Sequence, residues 1–361
     1  MMHDQPLSRV LFICRGSTDV GLGHVIRSRT IAFEMARRTS VRVVVIGDEY
    51  VDALLAGRGL TYQIVDDEPG VIAAIDAYDP DIVVFDLIEL SKKLYQRVSR
   101  RCMTVSVSPI FDHLTSTDLF FHRTRCQGSD WDLERFDGEV RSGLEYAVVR
   151  EQCVKISAAQ YEQNINQQPM AVAISMGGSD AGNKTLEVLR SIKSLPRRML
   201  FWVLLGEGYG HSYEALVDCV KRDTQHEIIL AKTSDSMWRV MSSCALAILA
   251  GGTVTYEAVF AGLPSINIFE KPEHVFLVRE LVERGTCLTA GFPLNAAIDV
   301  ATANLLHLEQ HREELVAMHR ACDGLMDRRG AARIAQEILE CHWQRTQTIR
   351  AEPLLARQRV V

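Results

Sequence analysis

The chain has 361 residues, 47% of them hydrophobic and 24% charged, with a formal net charge of −6 and a pI near 6.0. That length exceeds one ordinary compact domain, so two are expected. The mild acidity excludes the basic footprint of a nucleic-acid partner or membrane surface, and no apolar run approaches transmembrane length.

Short β-branched and apolar runs alternate with longer helical patterns, as in parallel sheets covered on both faces. In the first half the predicted strands are RVLFIC (9–14), VRVVVI (41–46), TYQIV (61–65), DIVVF (81–85), MTVSV (103–107) and DLFF (118–121). The polar stretch KISAAQYEQNINQQP (155–169) reads as an interdomain connection. Beyond it, strands are predicted at AVAIS (171–175), LFWVLL (200–205), EIILA (227–231), ALAIL (245–249), SINIF (265–269) and TCLTA (286–290). The expected organisation is a first Rossmann-like domain over 1–154, a linker over 155–169, a second such domain over 170–345 and a frayed tail over 346–361. Two doubly wound α/β units of this kind face a cleft outside the carboxyl ends of their strands.

Three strand–glycine–helix segments supply the candidate chemistry. The first, CRGSTDVGLGHVIRS (14–28), places Gly21 and Gly23 where backbone can approach a ligand and where helix-start N–H groups favour an anion. It lacks the third glycine of a dinucleotide fingerprint, with Ile26 in that place, so no NAD or FAD cofactor is expected. His24 follows at the helix start, where the dipole disfavours the imidazolium and suits a neutral general base; a histidine that merely caps or packs at the turn fits the position equally well. The second segment, AISMGGSDAGNKT (173–185), offers Gly177, Gly178, Ser179 and Asp180 and has no Walker lysine spacing. The third, CALAILAGGTVTYEAVFAGLP (244–264), ends a buried strand in Gly251-Gly252-Thr253. Thr255 and Glu257 follow in the first helical turns, so bare N–H groups and a hydroxyl can meet a diphosphate while a carboxylate one turn on can accept ribose hydroxyls.

In this order the segments resemble the GT-B superfamily, and more closely the UDP-sugar hydrolases of pseudaminic acid biosynthesis with their spore-coat polysaccharide relatives, the PseG/SpsG-like proteins. The matching stretches are GLGHVIRS (21–28), SGLEYAVVRE (142–151), ISMGGSDAGNKT (174–185), AGGTVTYEAVFAGLP (250–264) and, more weakly, GAARIAQEIL (330–339). The resemblance implies that His24 is the catalytic base, that the Gly21–Gly23 loop faces sugar and pyrophosphate, that Gly177 and Gly178 line the cleft, that Gly252 to Thr255 hold the diphosphate and that Glu257 binds the ribose. It implies hydrolysis of a nucleotide sugar, with UDP the expected nucleotide. Inverting transfer to a sugar acceptor, or a non-catalytic nucleotide-sugar-binding protein, are the alternatives.

Two departures from the hydrolase pattern fall on the sugar side. The first loop has Ser17 where an acid is expected, with Asp19 nearby, and FDLIELS (85–91) keeps Asp86 but lacks the Asp-His-Tyr triplet. KPEHVF (271–276) makes Glu273 and His274 further candidate contacts. His307 and His311 lack H-E-x-x-H spacing, and Asp112 and Asp118 lack D-x-D spacing, so no metal is expected. The nine cysteines are scattered without C-x-x-C pairs, which fits reduced thiols. Asp4 and Pro6 precede the first apolar run, no signal peptide is evident, and a cytoplasmic location is expected.

Overall fold

A computed structural model describes residues 7–17, 20–57, 59–87, 89–108, 113–126, 136–223, 225–232, 236–269 and 274–358. Among them, no helix is long and apolar enough to cross a membrane. The strands are β1 Arg9–Gly16, β2 Ser40–Gly47, β3 Thr61–Val65, β4 Ile82–Asp86, β5 Met103–Ser106, β6 Leu119–His122, β7 Glu139–Ser142, β8 Met170–Ser175, β9 Met199–Leu205, β10 Glu227–Lys232, β11 Leu246–Ala250, β12 Ser265–Ile268 and β13 Cys287–Gly291. The helices are α1 Gly23–Ala36, α2 Asp52–Leu55, α3 Glu68–Tyr78, α4 Lys92–Ser99, α5 Ala158–Asn166, α6 Lys184–Ile192, α7 Tyr213–Lys221, α8 Met237–Met241, α9 Thr253–Ala261, α10 Phe276–Glu283, α11 Leu294–Gln310, α12 Arg312–Ala321 and α13 Gly330–Gln358.

The strands form two parallel sheets, ordered β3-β2-β1-β4-β5-β6-β7 and β10-β9-β8-β11-β12-β13. Every strand expected from the sequence is present. β7 is an addition: its EVRS sequence is polar and partly exposed, so it carries no apolar run to announce it. In β1, Val10, Phe12 and Cys14 join one core while Leu11 and Ile13 join another on the opposite face. That two-sided burial explains why the strand reads as a continuous apolar run. Each sheet reverses its winding direction beside its first strand, between β1 and β4 and between β8 and β11. Such switch points open a crevice at the strands' carboxyl ends.

Two segments depart from the expected organisation. The connection over 155–169 carries α5, capped by Ser157 Oγ accepting from the Gln160 N–H at 3.2 Å. Its Tyr161 and Ile165 join the core of the second sheet. Residues 330–358, expected in the second domain up to residue 345 and then frayed, form the single helix α13, which returns to the first sheet. Ala331, Ile334, Ala335 and Ile338 make a stripe at helical spacing that packs with Ile31 and Met35 of α1. Glu337 accepts from Arg141 Nε and Tyr146 Oη, each at 2.7 Å. The chain thus crosses twice between the halves.

Candidate active site

α1 starts at the switch point of the first sheet. Gly21, with φ of 93°, occupies the left-handed region that glycine tolerates, and the helix then opens with no side chain capping its first N–H groups. His24 is the second residue of α1, and Arg27 and Ser28 lie one turn further on. All three meet Asp86, the last residue of β4. Asp86 Oδ1 lies 2.6 Å from His24 Nδ1 and also accepts from Arg27 Nη2; Oδ2 accepts from Arg27 Nε at 2.9 Å and from Ser28 Oγ at 3.1 Å. Burial pushes the Asp86 carboxyl up, but Arg27 and His24 outweigh it and hold the group well below the usual carboxylate range. Asp86 was expected among the sugar contacts. Its side chain is instead wholly buried beneath His24, because the end of β4 faces the first turn of α1.

α9 starts at the switch point of the second sheet in the same uncapped manner, from Gly252. A Cβ at Gly23 would lie 3.8 Å from Thr253 Oγ1, so the two helix starts abut. His24, Gly23, Gly251, Gly252 and Thr253 line one cavity of about 260 Å³. A larger cavity of about 360 Å³ shares Gly23, Gly251, Gly252, Thr253 and His274 with it. Gly21, Gly177, Gly178, Ser179, Asp180 and Glu257 complete the expected lining of the larger one.

Several expected residues have other occupations. Thr255 lines neither cavity: it is buried and donates from Oγ1 to Asn267 Oδ1 at 2.6 Å, since two helical residues beyond Thr253 the side chain points into the core. Glu257 is fully buried, and its oxygens accept from Arg150 Nε at 2.7 Å, Arg150 Nη2 at 2.6 Å, the Arg150 backbone N–H at 3.2 Å and Trp238 Nε1 at 3.2 Å. Those four donors match the carboxylate's capacity, so a ribose hydroxyl reaching Glu257 must displace one of them. Asp180 caps α6, accepting from the backbone N–H groups of Lys184 at 2.8 Å and Thr185 at 2.9 Å, and burial pushes its carboxyl up. Asp19 and Glu273 lie outside the described residues.

The structure also brings in residues the sequence reading did not single out. Arg27 and Ser28 hold Asp86; Arg150 holds Glu257; Lys184 lines the larger cavity. His122 and Arg123, at the end of β6, line the His24 cavity. Burial takes His122 down to about 4, and its Nε2 bonds the Cys126 carbonyl at 3.0 Å. A local signal existed for two of these residues: Arg27 stands one turn after His24, and Arg150 lies inside SGLEYAVVRE.

No family model matches the chain. An uncharacterized protein of Methanocaldococcus jannaschii is 24% identical over 274 residues, which are 73% of this chain and 56% of that protein, so the chain spans little more than half of that relative's length. The spore coat polysaccharide biosynthesis protein SpsG of Bacillus subtilis is 19% identical over 350 residues, 91% of this chain and 97% of that protein. Among solved structures, MurG of Acinetobacter baumannii matches with a TM-score of 0.64 at 13% identity, over 92% of this chain and 99% of that one. The spinosyn rhamnosyltransferase SpnG matches at 0.58 and 12%, over 91% and 100%. A UDP-GlcNAc 2-epimerase from Neisseria meningitidis bound to UDP-GlcNAc matches at 0.54 and 12%, over 93% and 100%. With its two parallel α/β sheets, the chain has the GT-B fold of two Rossmann-like domains.

Proposed function

We propose that the chain is a nucleotide-sugar hydrolase, with UDP as its nucleotide, and that it divides functionally into a catalytic first domain and a nucleotide-binding second one. The observation that carries this reading is the shared cavity: His24, oriented by Asp86, faces the uncapped start of α9. In the proposed reaction His24 takes a proton from water, whose oxygen bonds to the anomeric carbon. The bond from that carbon to the diphosphate oxygen breaks, and the nucleoside diphosphate leaves with the electron pair. Asp86 accepts from Nδ1–H, fixing the tautomer that leaves Nε2 as the acceptor. The N–H groups at the starts of α1 and α9 stabilise charge growing on the leaving phosphate.

The UDP-GlcNAc bound to one structural neighbour supports a UDP-sugar ligand. The likeness to a rhamnosyltransferase supports a second reading, in which a sugar hydroxyl replaces water at the same atoms. The test is incubation with UDP-, dTDP- and CDP-sugars, with and without candidate acceptors, following nucleoside diphosphate, free sugar and glycoside. Free sugar without acceptor supports hydrolysis, and glycoside formed only with acceptor supports transfer. Tight UDP binding without product from any donor overturns both in favour of a non-catalytic binding protein.

A further inference from the structure

Arg123 follows β6 and projects into the His24 cavity. Its Nε atom is buried with no hydrogen-bond partner. Among the described residues no carboxylate forms an ion pair with it; its guanidinium instead lies over the Tyr256 ring, 4.8 Å from the centroid. The Tyr256 hydroxyl donates to the Leu277 carbonyl, and its oxygen is the neutral acceptor that the guanidinium has beside it. Arg27, the other guanidinium lining this cavity, differs in being held by both oxygens of Asp86. Burial pushes the Arg123 guanidinium down from the ordinary arginine range. A partly buried guanidinium with one donor buried and unmatched and no carboxylate paired to it is costly, and its position beside a cavity lets a ligand supply an anion.

We propose that Arg123 is an anion-binding residue of the His24 cavity, taking an oxyanion of the ligand that enters there. This rests on the nucleotide-sugar reading for the identity of that ligand, and two sources supply the same chemistry: the phosphate next to the sugar, or an acid on the sugar itself. A planar fork of N–H donors suits either one.

The test compares the wild-type chain with Arg123→Met, an unbranched apolar side chain without the guanidinium, and with Arg123→Lys. Dissociation constants are measured calorimetrically for pyrophosphate, UDP, UDP-glucose and UDP-glucuronic acid, alongside thermal melting without ligand. The expected result is at least a tenfold loss of affinity for one or more of these anions in Arg123→Met, partial recovery in Arg123→Lys, and a ligand-free melting temperature equal to or above wild type. Losses across pyrophosphate and UDP assign Arg123 to the phosphate; a loss confined to UDP-glucuronic acid assigns it to a sugar acid. Arg123-dependent binding of pyrophosphate by a protein that binds no uridine compound supports the proposal while overturning the nucleotide-sugar reading. The proposal is overturned if Arg123→Met binds every probe within twofold of wild type, if the wild type binds none of them, or if the variant melts well below wild type with no selective change in affinity, the mark of a packing role.

Discussion

His24 Nδ1 stands 2.6 Å from Oδ1 of Asp86, a carboxylate wholly buried at the end of β4 and also held by Arg27 and Ser28. Asp86 thus serves two structures at once, the tautomer of the histidine and the charge of a buried arginine. Asp86→Asn keeps the shape and leaves the Arg27 guanidinium without a counter-charge, which costs about 3 kcal/mol or more. The pH dependence has a definite sign. A carboxyl held below its unfolded value of about 3.9 contributes stability that is complete above that pH and is lost as pH falls below it. Urea unfolding should therefore show a wild-type advantage over Asp86→Asn that is present at pH 5 and shrinks below pH 4.

His122 loses stability in the same direction, over a higher pH window. Burial holds it neutral down to about pH 4, whereas the unfolded chain takes up its proton near pH 6.5. Stability is therefore lost as pH falls from about 6.5 to 4, by on the order of 3 kcal/mol from this group, and no further below that. His122→Gln retains a donor for the Cys126 carbonyl and does not titrate. The difference in unfolding free energy between pH 7.5 and 4.5 should be clearly smaller in this variant; an equal difference would show that the imidazole is not the group responsible.

Arg150 and Glu257 join the segment leaving the first sheet to a helix of the second. Arg150→Met strands a fully buried carboxylate, and a loss of about 3–5 kcal/mol is expected. Arg150→Met combined with Glu257→Leu should recover most of it, because an apolar pair replaces a buried ion pair at little net cost. A double-mutant cycle by chemical unfolding measures the coupling; additive losses would mean that the two groups do not act as a pair.

The turn into α9 separates steric from ligand effects. A Cβ at Gly251 would fall 1.8 Å from the Phe269 ring, whereas one at Gly252 meets nothing closer than 3.8 Å. Gly251→Ala should destabilise the fold by about 1–3 kcal/mol. Gly252→Ala should fold with wild-type stability and, on the proposed function, bind UDP more weakly, because the added methyl would stand at the turn proposed to meet the phosphate. Melting temperature and UDP affinity measured on both variants check this; unaltered UDP affinity in Gly252→Ala counts against a phosphate at that turn.

Both sheets were legible in the sequence because fully buried parallel strands leave continuous apolar runs, and the glycine turns stood out as interruptions between strand and helix. What stayed hidden is long-range. Asp86 sits 62 positions from His24 and Arg150 sits 107 from Glu257, so no local spacing reveals either pair. Thr255 and Thr253 look alike in the sequence, yet the helical rotation of two residues sends one to the core and the other to the cavity. The stripe on α13 packs against the first sheet's core, a destination that no local pattern gives. β7 and α5 carried too few apolar residues to stand out from their surroundings.

The most direct test compares His24→Asn with wild type in UDP affinity and in steady-state release of nucleoside diphosphate from the best donor found. If the imidazole moves the proton, the dissociation constant for UDP stays within about threefold while kcat falls by about 10²–10⁴-fold. Parallel loss of affinity and turnover, or turnover that survives the substitution, would contradict the role assigned to His24.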